Sequence, residues 1–141
     1  MSTPESTESN KRLIREMTET VVNDHNFQAV DDYFSEDIVV KGAGSTMEGI
    51  EEWRGFLHQV DSAFPDFAFS IKEMLAEGSQ VAFRVIVTGT HEGEFEGIPG
   101  TGNEFSYPAV MIATIEDGKI TKMIYESDRV GLLKQLGVMD S

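Results

Sequence analysis

The chain has 141 residues, which suits one domain, and its 40% hydrophobic and 9% aromatic content is enough to build a core. Twenty-five acidic against eleven basic residues give a formal net charge of −14, which disfavours nucleic acid and anionic membranes as partners, since both call for a basic patch. The absence of cysteine excludes disulfides and thiolate metal sites.

The acids are dispersed along the chain, which fits either a strongly hydrated surface of the halophile type or a merely acidic mesophilic protein. No run of about 18 apolar residues suggests a membrane span. The start, Met1 to Asn10, is polar and acidic and lacks the basic and apolar stretches of a signal peptide, so a cytoplasmic protein is expected.

Taken in order, residues 1–9 read as a disordered tail, and residues 10–141 as a single domain. Leu13, Ile14, Met17, Val21 and Val22 recur at helical spacing over Asn10 to Asn23. A second short helix fits Phe27 to Phe34, and Ile38 to Val40 reads as a strand closed by Gly42 and Gly44. Ile50, Trp53, Leu57, Val60 and Phe64 form one face of a third helix that Pro65 stops.

The period then changes to two. Phe67 to Leu75, Val81 to Thr88, Phe105 to Ile115 and Lys119 to Ser127 read as strands. A glycine-rich loop fills Gly93 to Gly102, and Asp117-Gly118 turns the last hairpin. Val130, Leu132, Leu133 and Leu136 mark a closing helix. Helices grouped ahead of strands predict an α+β fold: helices packed on a curved antiparallel or mixed sheet, enclosing a cone-shaped pocket.

Asp128 ends the last strand and precedes the last helix, so it reads either as a helix N-cap or as a carboxylate aimed into the pocket for acid/base work. Strand alternation would put Ile120, Ile124 and Asp128 on one face. His91 shares the face of Phe83, Val85 and Val87, where it could contact a substrate or bond the loop that follows.

His58 flanks the apolar stripe of its helix, and Trp53 lies on that stripe; both are candidate ligand contacts, with core packing the plainer role for Trp53. His25 reads as solvated, and Arg84 as an outward ion pair or, if a bulge intervenes, a pocket residue. No histidine pair has metal-ligand spacing such as i, i+4, so no metal site is expected.

Read together, Gly89-Thr-His-x-Gly-x-Phe-x-Gly-x-Pro99, Thr101-Gly102, Gly118-Lys-Ile120, Asp128-x-x-Gly-Leu-Leu-x-Gln-Leu-Gly137 and, ahead of the strands, Phe64-Pro-Asp66 resemble the SnoaL-like polyketide cyclase, or ester cyclase, family. The resemblance runs from about Lys11 to Val138. It implies the cone of nuclear-transport-factor-2-like proteins, a homodimer, and ring closure of a polyketide by intramolecular aldol condensation without cofactor or metal. It also implies that Asp128 is the acid/base, with His91 and Tyr107 or Tyr125 polarising the carbonyl under attack. The chain departs from the family pattern at Ile124, where Trp is frequent, and at Lys122, Ser79-Gln80 and Asn103. Two alternatives stay open: a small-molecule hydrolase or isomerase on the same fold, and a non-catalytic binder of a small apolar ligand.

Overall fold

The computed structural model describes residues 4–42 and 44–138. Helix α1 spans Pro4–Met17 and runs into a π-helical turn, Thr18–Asn23. A 3-10 turn at Phe27–Ala29 leads into the short α2, Val30–Tyr33. Strands β1 (Phe34–Gly42) and β2 (Ser45–Glu48) precede α3 (Ile50–Ala63). Then come β3 (Ala68–Glu77), β4 (Gln80–Thr90), β5 (Glu104–Glu116), β6 (Lys119–Ser127) and α4 (Arg129–Gln135).

The α+β class expected from the sequence is what is observed: the described residues form four α-helices and one six-stranded sheet in the order β2-β1-β6-β5-β4-β3. The sheet is mixed, because β1 lies parallel to β6 while every other pairing is antiparallel. Two expectations change. The first helix begins at Pro4, so residues 4–9, read as tail, are helical, with proline at the position that needs no N–H donor; residues 1–3 lie outside the described part. The Gly44 turn is followed by a strand, β2, that its sequence, Ser45-Thr-Met-Glu48, did not signal.

One sheet face carries the core. On β4, Val81, Phe83, Val85 and Val87 are buried in alternation, and on β5 so are Phe105, Ala109, Met111, Ala113 and Ile115. On β6 the alternation breaks. Ile115 pairs with Ile120 but Thr114 pairs with Lys122, so Thr121 is an extra residue in the strand, a β-bulge. Beyond the bulge Met123, Tyr125 and Ser127 share the core face. Ile124 turns to the opposite side, paired with the exposed Ile112.

Two polar clamps tie the helices to the edge strand β3. The Asn23 amide behaves like a neighbouring strand: its Oδ1 accepts from Phe69 N–H (2.8 Å) and its Nδ2 donates to Phe69 O (3.1 Å). His25, expected to be solvated, is instead held at both ring nitrogens, by Asp61 Oδ1 (2.6 Å) and Phe67 O (2.9 Å). Arg84 points outward to Glu73 (2.5 Å), the salt bridge its position on the strand suggested.

Candidate functional site

Between α3 and the core face of the sheet lies a cavity of about 350 Å³. Its walls are apolar: Met17 and Val22 from the first helical segment, Trp53, Leu57 and Val60 from α3, Val87 from β4, and Met111 and Met123 from β5 and β6. Cross-strand pairing builds the floor, since Val87 faces Tyr107, Met111 faces Tyr125 and Ala109 faces Ser127. The polar lining residues are Ser45, Glu96, Tyr107, Tyr125, Ser127 and Arg129. A second depression, about 460 Å³, is an open groove between the π-helical turn and β3 with charged walls, and it encloses nothing.

The loop that covers the cavity is fixed by the glycine-rich motif. The Asp66 carboxylate accepts from Thr90 N–H and Thr90 Oγ1–H, both at 2.8 Å, anchoring the end of β4. Burial favours the protonated Asp66, but those bonds outweigh it and hold the carboxyl below its ordinary value. Glu92 and Gly93 then donate to Ala63 O, and a Cβ at Gly93 would fall 2.2 Å from Ser62 O, so only glycine fits there. The loop tip, Phe95-Glu-Gly-Ile98, is a two-residue turn closed by reciprocal backbone bonds of 2.9 Å. Glu96 (φ 50°) and Gly97 (φ 82°) both have the left-handed geometry that a type I′ turn demands. The turn delivers Phe95 and Glu96 to the cavity.

The motif after β6 is equally local in its logic. Asp128 N-caps α4: its Oδ1 accepts from Gly131 N–H at 2.8 Å. A Cβ at Gly131 would lie 2.2 Å from Asp128 Oδ2, which explains the spacing Asp-x-x-Gly. Gln135 clamps β5, its Oε1 accepting from Ser106 N–H (2.7 Å) and its Nε2 donating to Ser106 O (2.9 Å). Leu132 lines the cavity, Leu136 is buried, and Asn103 Nδ2 donates to Leu136 O.

The sequence-derived candidates therefore divide. Trp53 and Tyr107 line the cavity. Trp53 also packs on Phe34 and Phe56, and its Nε1–H is buried without an acceptor among the described residues. Asp128 does not line the cavity; its side chain is exposed and engaged as a cap, because the Thr121 bulge shifts the alternation that would have turned it inward. Ile124 faces out for the same reason.

His91 is fully buried but off the cavity. Its Nδ1 meets Thr101 Oγ1 at 3.1 Å, so it shapes the covering loop, and its ring packs edge-on to Phe64. His58 is exposed and packs edge-on against Phe27, away from the cavity.

Two residues not singled out from the sequence complete the rim. Among the described residues that line the cavity, Glu96 is the only carboxylate and Arg129 the only cation. They form an ion pair from the loop tip to the first turn of α4, with the guanidinium 5.9 Å from the Phe95 ring centroid. Gly97, between Phe95 and Ile98, was the available signal for such a turn, a weak one because Glu-Gly is not among the pairs that favour it. Burial pushes the Tyr107 hydroxyl up to about 12, with Tyr125 adding to the effect and Arg129 opposing it. Burial also raises Tyr125, against Arg129 and with Glu96. At neutral pH both phenols are hydrogen-bond donors and not bases. Among the described residues, no three His, Asp or Glu side chains gather as a metal site, and no helix is long and apolar enough to cross a membrane.

Residues 12–136 match the model of the SnoaL-like polyketide cyclase family. Among solved structures, AclR, a candidate hydroxylase from Streptomyces galilaeus, is 28% identical with a TM-score of 0.84, covering 94% of this chain and 98% of its own. IdmH, a candidate polyketide cyclase from Streptomyces antibioticus, is 27% identical with a TM-score of 0.80, covering 92% and 99%. A candidate SnoaL-like polyketide cyclase from Jannaschia sp. CCS1 shares the fold at 19% identity, with a TM-score of 0.90 and 99% of each chain covered. No curated protein sequence matches the chain.

Proposed function

Because this chain belongs to the SnoaL-like polyketide cyclase family, we propose that its cavity takes a small, largely apolar, polyketide-like molecule and closes a ring in it by intramolecular aldol condensation. The observation that carries this reading is the cavity, with apolar walls and a rim of two phenols, one carboxylate and one guanidinium. Walls of this kind fold a flexible ligand by shape and bring two parts of one molecule together, which supplies much of the rate of a ring closure.

In the reaction a carbon flanked by carbonyls gives up a proton, the enolate attacks a carbonyl of the same molecule, and the proton returns to the new alkoxide. A single carboxylate can serve both steps. The family resemblance points to Asp128. Its Oδ1 holds the Gly131 N–H, and its chain neighbours Ser127 and Arg129 both line the cavity. Acting as the base would require the carboxylate to leave the cap and turn to the rim, a rearrangement that costs about 1 kcal/mol of capping energy.

A second reading, a binder without turnover, is favoured by the exposed, capping Asp128. A hydrolase arrangement that depends on Arg84 loses its arginine to Glu73. The decisive experiment incubates the protein with a panel of partly cyclised aromatic polyketides and follows ring closure by absorbance and mass. Ring-closed product that falls by about 10²-fold or more in Asp128→Asn supports the cyclase with this acid/base. Tight binding with no product in the unmodified protein leaves the binder.

We also propose a homodimer through the outer sheet face. Leu75, Ala82, Ile112 and Ile124 lie side by side across β3, β4, β5 and β6 in one row, and Leu75 is 75% exposed. Val110 adds to the patch one step away. A dimer that covers this row would bury more than about 1,000 Å² in total.

A further inference from the structure

We propose that Arg129, together with the hydroxyl groups of Tyr107 and Tyr125, is a receptor for one anionic or enolic oxygen of the ligand, and that Glu96 is the exchangeable counter-ion that occupies it in the free protein. The ligand class follows: an apolar body bearing a single enolate, phenolate or carboxylate oxygen. The inference rests on the proposed cavity function for its setting and adds the polar group by which the ligand is oriented.

Among the described lining residues Arg129 is the sole cation, so it is the partner there for the charge of an anionic oxygen that enters the cavity. Glu96 engages one nitrogen of the guanidinium, which leaves the rest of its donor fork to meet a second acceptor. Tyr107 and Tyr125 line the same cavity, and among the described residues neither hydroxyl has a hydrogen-bond partner. All four side chains line the one cavity, and Arg129 and Glu96 are ion-paired at its rim.

Magnitude decides why Glu96 can be exchanged. The Arg129 and Glu96 side chains are 39% and 49% exposed, and ion pairs so open to water contribute little. A ligand oxygen deeper in the cavity meets the same guanidinium plus two phenol donors, in apolar surroundings that strengthen each charge-assisted bond. Glu96 is held at the rim by a backbone geometry uncommon for a residue with a side chain, φ 50°, imposed by the closed turn. Hydrogen-bond donors gathered in one apolar cavity also suit a developing enolate in the proposed ring closure.

The test compares 2-naphthoate with its methyl ester, which share an apolar body and differ in charge, by titration calorimetry on the full chain at neutral pH and fixed salt. The expected result is an acid bound at least about tenfold more tightly than the ester. Arg129→Gln should abolish that preference and leave the ester's affinity within about twofold, whereas Glu96→Gln should tighten the acid a few-fold by removing its competitor. Equal affinities in the unmodified protein, or a preference that survives Arg129→Gln, overturns the inference. Failure of the polyketide turnover assay with the preference intact removes the catalytic reading and leaves the receptor. Binding of neither probe overturns both.

Discussion

The ring of Tyr125 lies flat against Gly42, so close that a Cβ at position 42 would fall 2.4 Å from Tyr125 Cε1. The contact follows from the parallel pairing of β1 with β6, which sets Lys41 beside Ile124 and so the next residues side by side. Glycine on β1 is thus what gives a cavity-lining phenol room to lie down. Gly42→Ala should cost about 1–3 kcal/mol and lift the Tyr125 ring into the cavity. Thermal unfolding would read this as a fall of several degrees, and in a Tyr125→Ala background the same Gly42→Ala change should cost little more. Additive losses in the double variant would show that the ring is not the obstacle.

Asp128 separates capping from catalysis in one position. Asp128→Ala should lose about 1 kcal/mol of stability, while Asp128→Asn, which caps as well, should melt within about a degree of the unmodified protein. If the proposed acid/base role holds, Asn nevertheless lowers turnover by about 10²-fold or more, with ligand affinity nearly unchanged. Turnover that persists in a stable Asp128→Asn protein would assign the carboxylate to the cap alone.

The buried phenol gives an alkaline signature. Tyr107 ionises at about 12 in the folded protein against an ordinary value near 10, so the folded state holds that proton more tightly than the unfolded chain. Its contribution to stability is complete below about pH 10 and is lost as the pH climbs towards 12. Absorbance titration of the phenolate band should show a late-ionising tyrosine that Tyr107→Phe removes. Asp66 behaves in the opposite sense: its lowered carboxyl supports the fold at neutral pH, and that support fades as the pH falls through the lowered value.

Net charge sets the salt response. With a formal charge of −14, self-repulsion weakens the fold in dilute buffer and screening relieves it. The melting temperature should rise by at least about 5 °C between dilute buffer and molar KCl. A flat response would remove the halophile reading and leave an acidic surface only.

Assembly is checked separately. Light scattering should give twice the monomer mass, and Ile112→Lys on the outer row should shift it to one. A monomer in the unmodified protein at high salt would count against the proposed interface.

Periodicity carried much of the fold. The helix through Ile50, Trp53, Leu57 and Val60, the long strands β4 and β5 and the final hairpin stand where alternation and helical spacing put them. What alternation could not convey was its own interruption. Thr121 is an ordinary strand residue, and whether it pairs or bulges depends on β5 across the sheet, so Ile124 and Asp128 read as inward when Tyr125 and Ser127 are. The rim of the site was hidden for a related reason. Glu96 and Arg129 sit in unlike segments and meet only because the loop folds over the cavity and α4 starts beneath it. The motifs themselves were legible, but most of their residues, His91, Gly93, Gly131 and Gln135 among them, turn out to hold the loop and helix in place.

The parallel pairing of Val40 with Met123 joins an early strand to the last one synthesised. Until β6 is complete, β1 has only the four residues of β2 beside it, and the wall bearing Met123, Tyr125 and Ser127 does not exist. Contacts of such long sequence separation form late and slowly. A nascent chain therefore carries no receptor, and a cavity ligand stabilises only the finished protein, by an increment that grows with its concentration over Kd.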